Sequence, residues 1–318
     1  MRTFLVTGGG GFIGSHIATA LLNRGDRVRV LDNFSTGHRS NLAHLAAHAS
    51  AGRLEIIEGD LCDAAAVADA VAGVDAIFHQ AALASVPRSV EAPLDTNAAC
   101  VTGTVTLLDA ARKAGVRRVV YAGSSSAYGD QPTSSKRETD LPNPLSPYAA
   151  AKLAAEEYCR AFYATYGLET VTIRYFNVFG PRQDPKSPYS AVIPLFITAM
   201  LAGRQPVVYG DGQQSRDFTY VANVVHANLL AADAPNVAGR VFNAANGRST
   251  TRLSLIAQLN ERLGTRIEPR FEPARVGDVR ESMADISQAR AMLGYEPQVD
   301  FETGLGLSID YYRSVAGR

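Results

Sequence analysis

The sequence predicts an α/β protein: a Rossmann-type, doubly wound parallel sheet with a smaller, discontinuous C-terminal substrate lobe. Short apolar runs alternate with segments of helical period from Thr3 to Tyr175. A glycine-rich turn joins the first run to the first helix. Polar or glycine residues suited to ligand contact end the successive runs at Gly8, Asp32, Asp60, Gln80, Ser124 and Asn177. In open α/β sheets that C-terminal edge is where ligands bind. A length of 318 residues suits one domain plus a lobe.

Thr3 to Thr7 reads as the first strand. After Gly8 to Gly11, the apolar residues Phe12, Ile13, Ile17, Ala20 and Leu21 recur at helical spacing. Gly25-Asp26 breaks that helix, and Arg27 to Leu31 forms a strand ending at Asp32. Leu54 to Ile57 is the third strand, closed by Gly59-Asp60. A helix over 64–71 precedes a strand over 76–79. Thr96 to Ala114 reads as one long helix stopped by Gly115. Arg118 to Ala122 is a strand running into Ser124-Ser125-Ser126. Tyr148 to Tyr166 is a helix stopped by Gly167, and Thr170 to Tyr175 is a strand. Past Phe179-Gly180-Pro181 the chain turns to prolines, glycines and short segments as far as Asp217. A helix over 221–232 and a strand over 240–243 read as a return to the main sheet. A helix over 253–263 leads into a Pro-rich, irregular C-terminal part. The expected division is a dinucleotide-binding domain over 1–180, with a return over about 219–247, and a lobe over 181–318.

Lys and Arg number 31, as do Asp and Glu, for a formal net charge of +0. Such balance gives no electrostatic footprint for nucleic acid or a membrane surface. An anionic ligand must be held by local groups. The 3 cysteines, Cys62, Cys100 and Cys159, form neither a disulfide framework nor a metal cluster. His44 and His48 share a helical face without an evident third ligand, so no metal is expected. The chain enters a strand directly after Met1-Arg2, without an apolar signal region, and no run approaches the ~20 apolar residues that span a bilayer. A reducing cytoplasm is the expected compartment.

Gly8, Gly11 and Gly14 follow a strand and open a helix. They permit a tight turn and close approach of backbone to a pyrophosphate, while the helix N-terminus offers N–H donors and positive potential. Asp32, at the end of the second strand, is placed to accept hydrogen bonds from an adenosine ribose. A carboxylate there repels a 2′-phosphate and favours NAD over NADP, although Arg39 lies near enough to leave NADP open. Asp60 is a candidate partner for the adenine amino group or, alternatively, a helix N-cap.

Tyr148 and Lys152 lie at i and i+4 of one helix. An ordinary tyrosine, with a pKa of ~10, is a poor base at neutral pH. A cation ~6 Å from the phenol oxygen favours phenolate by roughly 2–3 kcal/mol at an effective dielectric near ~20. That is about two pKa units. The positive charge of an oxidised nicotinamide would push the same way, and the two effects predict a general base in Tyr148. Ser124 can hydrogen-bond the reacting oxygen, with Ser125 and Ser126 as alternates.

These strings resemble one family. Thr7 to Gly14, Ser124 to Gly129, Tyr148-x-x-x-Lys152 and Arg174-Tyr175-Phe176-Asn177 are similar to the extended short-chain dehydrogenase/reductases, in particular their UDP-hexose 4-epimerase branch. His79 to Ser89, Arg174 to Pro181 and Ser215 to Phe218 resemble the UDP-N-acetylglucosamine 4-epimerases. The resemblance implies tightly held NAD and a cycle in which Tyr148 takes the proton of the sugar 4-hydroxyl while hydride leaves C4. The 4-keto sugar turns over and hydride returns to its other face. It implies NAD contacts at Phe12, Ile13, Asn33, Ser35, Thr36, Gly37, Leu61, Gln80, Ala81, Ala82, Ala84, Asn97 and Tyr175, beside the glycines, Asp32, Asp60, Ser124, Tyr148 and Lys152.

For the UDP-sugar it implies phosphate pairing by Arg216 and Arg275, ribose contact by Asp278 and a uracil border at Val207 to Tyr209. Asn177, Ala191, Val192, Ser85, Arg88, Ser125 and Ser126 are further implied contacts. Ser282 stands where branch members restricted to UDP-glucose and UDP-galactose generally carry tyrosine; the smaller residue suits a 2-acetamido group. UDP-GlcNAc/UDP-GalNAc is therefore the expected pair, with UDP-Glc/UDP-Gal tolerated. The related 4,6-dehydratases place an Asp-Glu pair where this chain has Ser125 and Ser126. The resemblance also implies a homodimer formed through the helices over 96–114 and 148–166. The alternatives are a uronate-sugar 4-epimerase or net oxidoreductase on the same scaffold, and a non-catalytic NAD-binding regulator.

Overall fold

The computed structural model describes residues 1–131, 133, 135–185, 191–274 and 280–316. Its centre is a seven-stranded parallel sheet made of β1 (Thr3–Thr7), β2 (Arg27–Asp32), β3 (Leu54–Glu58), β4 (Ala76–His79), β5 (Arg118–Ser124), β6 (Glu169–Tyr175) and β7 (Arg240–Ala244). The strand order is β7-β6-β5-β4-β1-β2-β3. Winding therefore proceeds in one direction from β1 to β3 and in the other from β4 onward. The reversal between β1 and β4 leaves a crevice at their C-terminal ends.

The apolar runs of the inner strands are continuous because both faces of the sheet are covered there. Alternation divides β1, β2, β4 and β5 between two cores. Phe4, Val6, Val28, Val30, Phe78 and Val120 pack on one face. Leu5, Leu31, Ile77, Val119 and Tyr121 pack on the other. Each such side chain, fully buried, contributes about 1.5–3 kcal/mol relative to exposure.

The first face receives α1 (Phe12–Asn23). The second receives α2 (Ala64–Val71), α3 (Gly103–Lys113) and α4 (Pro147–Tyr166) through Val67, Leu107, Leu108 and Cys159. α4 has a well-defined start and stop. Ser146 accepts the Ala149 N–H, Pro147 takes the first turn, and Gly167 closes the helix at φ 72°.

The expected helix over 96–114 is not one regular α-helix. Pro93–Asn97 is α-helical, Ala98–Thr102 forms a π-helical turn, and α3 follows. The lobe contains more helix than the sequence predicts. α5 (Val192–Leu201) lies in the segment expected to be irregular. α6 (Val221–Asp233) and β7 rejoin the central sheet, and α7 (Arg252–Leu263) follows. The C-terminal part holds a short helix, Ser287–Leu293, and α8 (Phe301–Ala316). α8 is held by burial of Phe301, Leu305, Ile309 and Tyr312, with Phe301 against Phe179 and Phe218. A small four-stranded sheet joins Thr250–Thr251, Ser215–Arg216, Glu281–Ala284 and Ser135–Lys136. Among the described residues no helix is long and apolar enough to cross a membrane.

Candidate active site

The glycine turn is fixed by close contacts. Gly8 sits at φ 67°, and a Cβ there would lie 2.7 Å from the Ala81 backbone. Its N–H donates to the Leu31 carbonyl at 2.8 Å, which ties the turn to β2. At Gly14 a Cβ would lie 2.2 Å from the Gly8 carbonyl oxygen. Gly11 caps α1 without a side-chain hydrogen bond, leaving first-turn N–H groups facing the crevice mouth.

Asp32 supports this turn directly. One carboxylate oxygen accepts the Gly10 N–H at 2.8 Å and the other accepts the Phe34 N–H at 2.8 Å. Each oxygen keeps a further lone pair for a ribose hydroxyl. Arg39 is engaged elsewhere: it pairs with Glu58 and its guanidinium carbon lies 4.3 Å from the Phe34 ring centre. Asp60 does not cap a helix. It accepts the Cys62 N–H at 2.8 Å and the Asn33 side-chain N–H at 2.6 Å, while Asp63 caps α2. These hydrogen bonds hold the Asp60 carboxyl below its usual range, with partial burial opposing them.

A cleft of about 290 Å³ runs from this turn across the β1–β4 crevice to α4. Gly8, Gly11, Phe12, Ile13, Gly14, Asp32, Asn33, Ser35, Thr36, Gly37, Asp60 and Leu61 line one end. Gln80, Ala81, Ala82, Ala84, Tyr148, Lys152 and Tyr175 line the rest. Asn97 is exposed and is not among the lining residues, whereas Ala99, in the π-helical turn, is. Leu31, Gly59, Leu83, Ala122 and Gly123 also line it, and the sequence reading missed them. Ala122 and Gly123 were detectable in principle, since they immediately precede Ser124 on β5.

At the α4 end, Ser124 stands close enough to Tyr148 for its hydroxyl to favour the ionised phenol. The Ser124 hydroxyl lies 2.7 Å from that of Ser126 and accepts the Ser126 N–H at 3.2 Å. The Lys152 ammonium lies 4.3 Å from the Tyr121 ring centre, and the Tyr121 hydroxyl donates to the Lys152 carbonyl at 3.2 Å. The expected acidification of Tyr148 is not produced by the protein's own groups. Burial pushes this phenol up to about 12, opposed by the Ser124 hydroxyl. Burial also lowers Lys152. In this geometry desolvation outweighs the attraction that the i, i+4 spacing alone implied.

Tyr175 is held by donating toward Gln80 at 2.9 Å and Asn228 at 3.0 Å. His79 is fully buried between the hydroxyls of Thr7 (2.7 Å) and Thr104 (2.9 Å). Burial lowers its pKa to about 3, so it packs as a neutral ring. His44 meets Thr19 and Arg182, and His48 meets Arg53.

Among the described residues expected to hold a UDP-sugar, Tyr148 lines this cleft and the others are not part of its lining. Ser85 caps the short helix Val86–Glu91 by accepting the Arg88 N–H at 3.2 Å. Ser125 begins the one-turn helix Ser125–Tyr128. Arg216 and Ser282 are direct partners in a parallel ladder. Asp217 joins them to Asn177: its N–H donates to the Ser282 carbonyl at 2.7 Å, and its carbonyl accepts the Asn177 side chain at 3.3 Å. The Asp217 carboxylate is fully buried and accepts N–H groups of Asn246 and Gly247 at 2.9 Å and Ala284 at 3.3 Å. Ala191 caps α5, which starts at Val192. Val207 and Tyr209 lie on a strand paired with Arg270–Glu272. Arg275 and Asp278 fall outside the described residues.

The signature of the NAD dependent epimerase/dehydratase family matches residues 4–245. The chain belongs to that family. Among its relatives is a UDP-glucose 4-epimerase of Mycolicibacterium smegmatis, 40% identical over 99% of each chain. A solved structure of UDP-N-acetylglucosamine 4-epimerase from Methanobrevibacter ruminantium, in complex with UDP-N-acetylmuramic acid, superposes with TM-score 0.93 at 41% identity, covering 99% of each chain. UDP-glucuronic acid 4-epimerase from Bacillus cereus, solved with UDP-glucuronic acid and NAD, superposes with TM-score 0.91 at 29% identity, covering 98% of this chain and 99% of that one. The family's cofactor fits the site: the glycine cradle has no room for a Cβ at Gly14, and Asp32 is positioned by two backbone donors.

Proposed function

We propose that this chain is a UDP-sugar 4-epimerase that holds NAD, with UDP-GlcNAc and UDP-GalNAc as its preferred pair and UDP-Glc and UDP-Gal tolerated. The observation that carries the reading is the placement of Tyr148 and Lys152 on the wall of the cleft that begins at the glycine turn, with Ser124 beside Tyr148. NAD bound in that cleft supplies a reversible hydride acceptor for sugar C4.

Tyr148 takes the proton of the 4-hydroxyl and returns it after the 4-keto sugar has turned its other face. Ser124 donates to the same sugar oxygen and shares the proton. Lys152 supplies positive charge beside the phenolate as it forms. Because the protein's own groups keep this phenol up at about 12, proton removal is coupled to substrate and cofactor binding. Ser125 and Ser126 give no acid to drive loss of a 6-hydroxyl, which favours epimerisation over dehydration.

Arg216 and Arg275 are assigned to the diphosphate, Asp278 to the ribose and Val207 to Tyr209 to the uracil border. Asn177, Ala191, Val192, Ser85, Arg88, Ser125 and Ser126 complete the sugar-side set. Ser282, laddered against Arg216, leaves volume beside the sugar for a 2-acetamido group. The half-exposed Tyr158, Tyr163 and Tyr166 on α4 support a homodimer through this helix. We assign the protein to the cytoplasm, and place the lobe boundary near residue 181.

The test is incubation of purified protein with UDP-GlcNAc, UDP-Glc and UDP-glucuronic acid separately, without added NAD, followed by analysis for C4 epimers. Conversion of UDP-GlcNAc at the highest kcat/KM is expected. Conversion of UDP-glucuronic acid alone would replace this reading with the uronate epimerase. Turnover only with stoichiometric NAD would replace it with a net oxidoreductase, and NAD binding without turnover of any of the three would favour the regulator.

A further inference from the structure

We propose that Arg174 is a positioning residue that clamps the serine turn to the catalytic helix, and that Glu156 and Tyr128 are the two jaws it joins. The proposal rests on the epimerase reading for its kinetic consequence, but its geometry stands on separate observations.

Glu156 lies on the face of α4 that carries Tyr148 and Lys152, one turn beyond the lysine. Its carboxylate accepts two hydrogen bonds from Arg174, Nε at 3.0 Å and Nη2 at 2.6 Å. The two side chains are 2% and 3% exposed. On the other side, the Arg174 guanidinium carbon lies 4.5 Å from the Tyr128 ring centre. The remaining terminal nitrogen, Nη1, is buried without a hydrogen-bond acceptor, so the ring face is its neighbour of opposite polarity. Tyr128 ends the turn that starts at Ser125, and its hydroxyl donates to Asn243 at 2.7 Å. The Arg174 stem crosses Gly123, its ladder partner and the residue before Ser124. A Cβ at Gly123 would stand 3.3 Å from Arg174 Cγ. One arginine therefore meets the strand end that bears Ser124 through its stem, and the turn behind it and the helix that bears Tyr148 and Lys152 through its guanidinium.

Stability alone gives little reason for this arrangement. A buried ion pair often adds no net stability over well-packed apolar residues of similar volume. A two-point hydrogen bond does fix direction and register. The property it secures here is the separation of Ser124 from Tyr148. A misplacement of ~1 Å in a reacting group costs on the order of 10²-fold in rate.

The test uses the full-length protein with its retained NAD. Arg174→Lys keeps the charge but loses the two-point bond and the planar face. It is expected to lower kcat by roughly 10- to 100-fold, with KM for the UDP-sugar and NAD content essentially unchanged. A crystal structure of the same variant is expected to show Ser124 displaced relative to Tyr148. A folded variant that keeps both kcat and the wild-type separation of Ser124 from Tyr148 overturns the proposal. If the wild type turns over no nucleotide sugar, the epimerase reading fails and the crystal structure alone decides the clamp. Should Arg174→Lys not fold, Glu156→Gln is read in the same two ways, since it keeps shape and one acceptor oxygen. Failure of both variants to fold would make the pair purely structural and also overturn the proposal.

Discussion

Replacing Gly14 by alanine tests the cofactor cradle with a single methyl group. That methyl would lie 2.2 Å from the Gly8 carbonyl oxygen, 2.9 Å from the Gly8 carbonyl carbon and 2.9 Å from Gly9 Cα. An ordinary carbon contact starts near 3.4 Å, so a shift of about 1 Å is required. Neither side yields easily. The Gly8 carbonyl accepts the Gly11 N–H at 3.0 Å, and the Gly8 N–H is held by Leu31 at 2.8 Å. Behind Gly14, α1 is packed through Ile17, Ala18 and Leu21, all completely buried. Insertion of a methyl into such a site costs about 1–3 kcal/mol. Placed on the bound geometry of the turn, that is roughly a 5- to 150-fold loss of NAD affinity. The assay is NAD released per protein on acid denaturation, with calorimetric titration of stripped protein. Full NAD content with affinity within about twofold of wild type would show that the turn does not carry the pyrophosphate.

Other outcomes follow from the same geometry. Asp217→Asn puts an NH2 group against at least one of the three backbone N–H groups that Asp217 accepts; thermal melts should show a loss of about 1–3 kcal/mol, and an unshifted melting temperature would contradict it. The Tyr148 phenol, held up at about 12 by burial, stays protonated through neutral pH in protein stripped of cofactor. Ultraviolet titration of wild type against Tyr148→Phe should therefore show no tyrosinate difference below pH ~9, and an ionisation midpoint near 7 would show that Lys152 acidifies the phenol unaided. Ser282→Tyr should lower kcat/KM for UDP-GlcNAc by roughly tenfold or more relative to UDP-Glc; an unchanged ratio would remove Ser282 from substrate choice.

The central sheet was legible because its inner strands are buried on both faces and are written as apolar runs bounded by turn residues, as in Thr3–Thr7 before its glycines. α4 was legible through its stop at Gly167. α5 was not. Its sequence, Val-Ile-Pro-Leu-Phe-Ile-Thr-Ala-Met-Leu, is apolar nearly all round, so it has no helical period, and Pro194 in its first turn reads as a break. α8 was hidden by Gly304 and Gly306. Gly304 is needed there because a Cβ would meet the Tyr220 ring at 2.8 Å, a long-range contact with no local signal. The two-residue strand Ser135–Lys136 pairs with a segment more than a hundred positions away, which no local pattern encodes.

At the site, the glycines, Asp32 and the α4 pair were legible from motif and spacing. Ala99 was not legible as a lining residue because a π-helical turn interrupts the helical period there. The upward push on Tyr148 in the chain alone was not legible because spacing reports the neighbouring lysine and not the burial that opposes it. The Arg174–Glu156 pair joins β6 to α4 across the core, so sequence shows its two halves and not their meeting.

The most direct measurement compares wild type and Tyr148→Phe on UDP-GlcNAc without added NAD, reading C4 epimer formation alongside UDP affinity. Wild type should convert the sugar using the NAD it retains, and the variant should lose kcat by at least about 10²-fold while binding UDP as before. Equal turnover by the two proteins would remove Tyr148 as the base and with it the proposed chemistry.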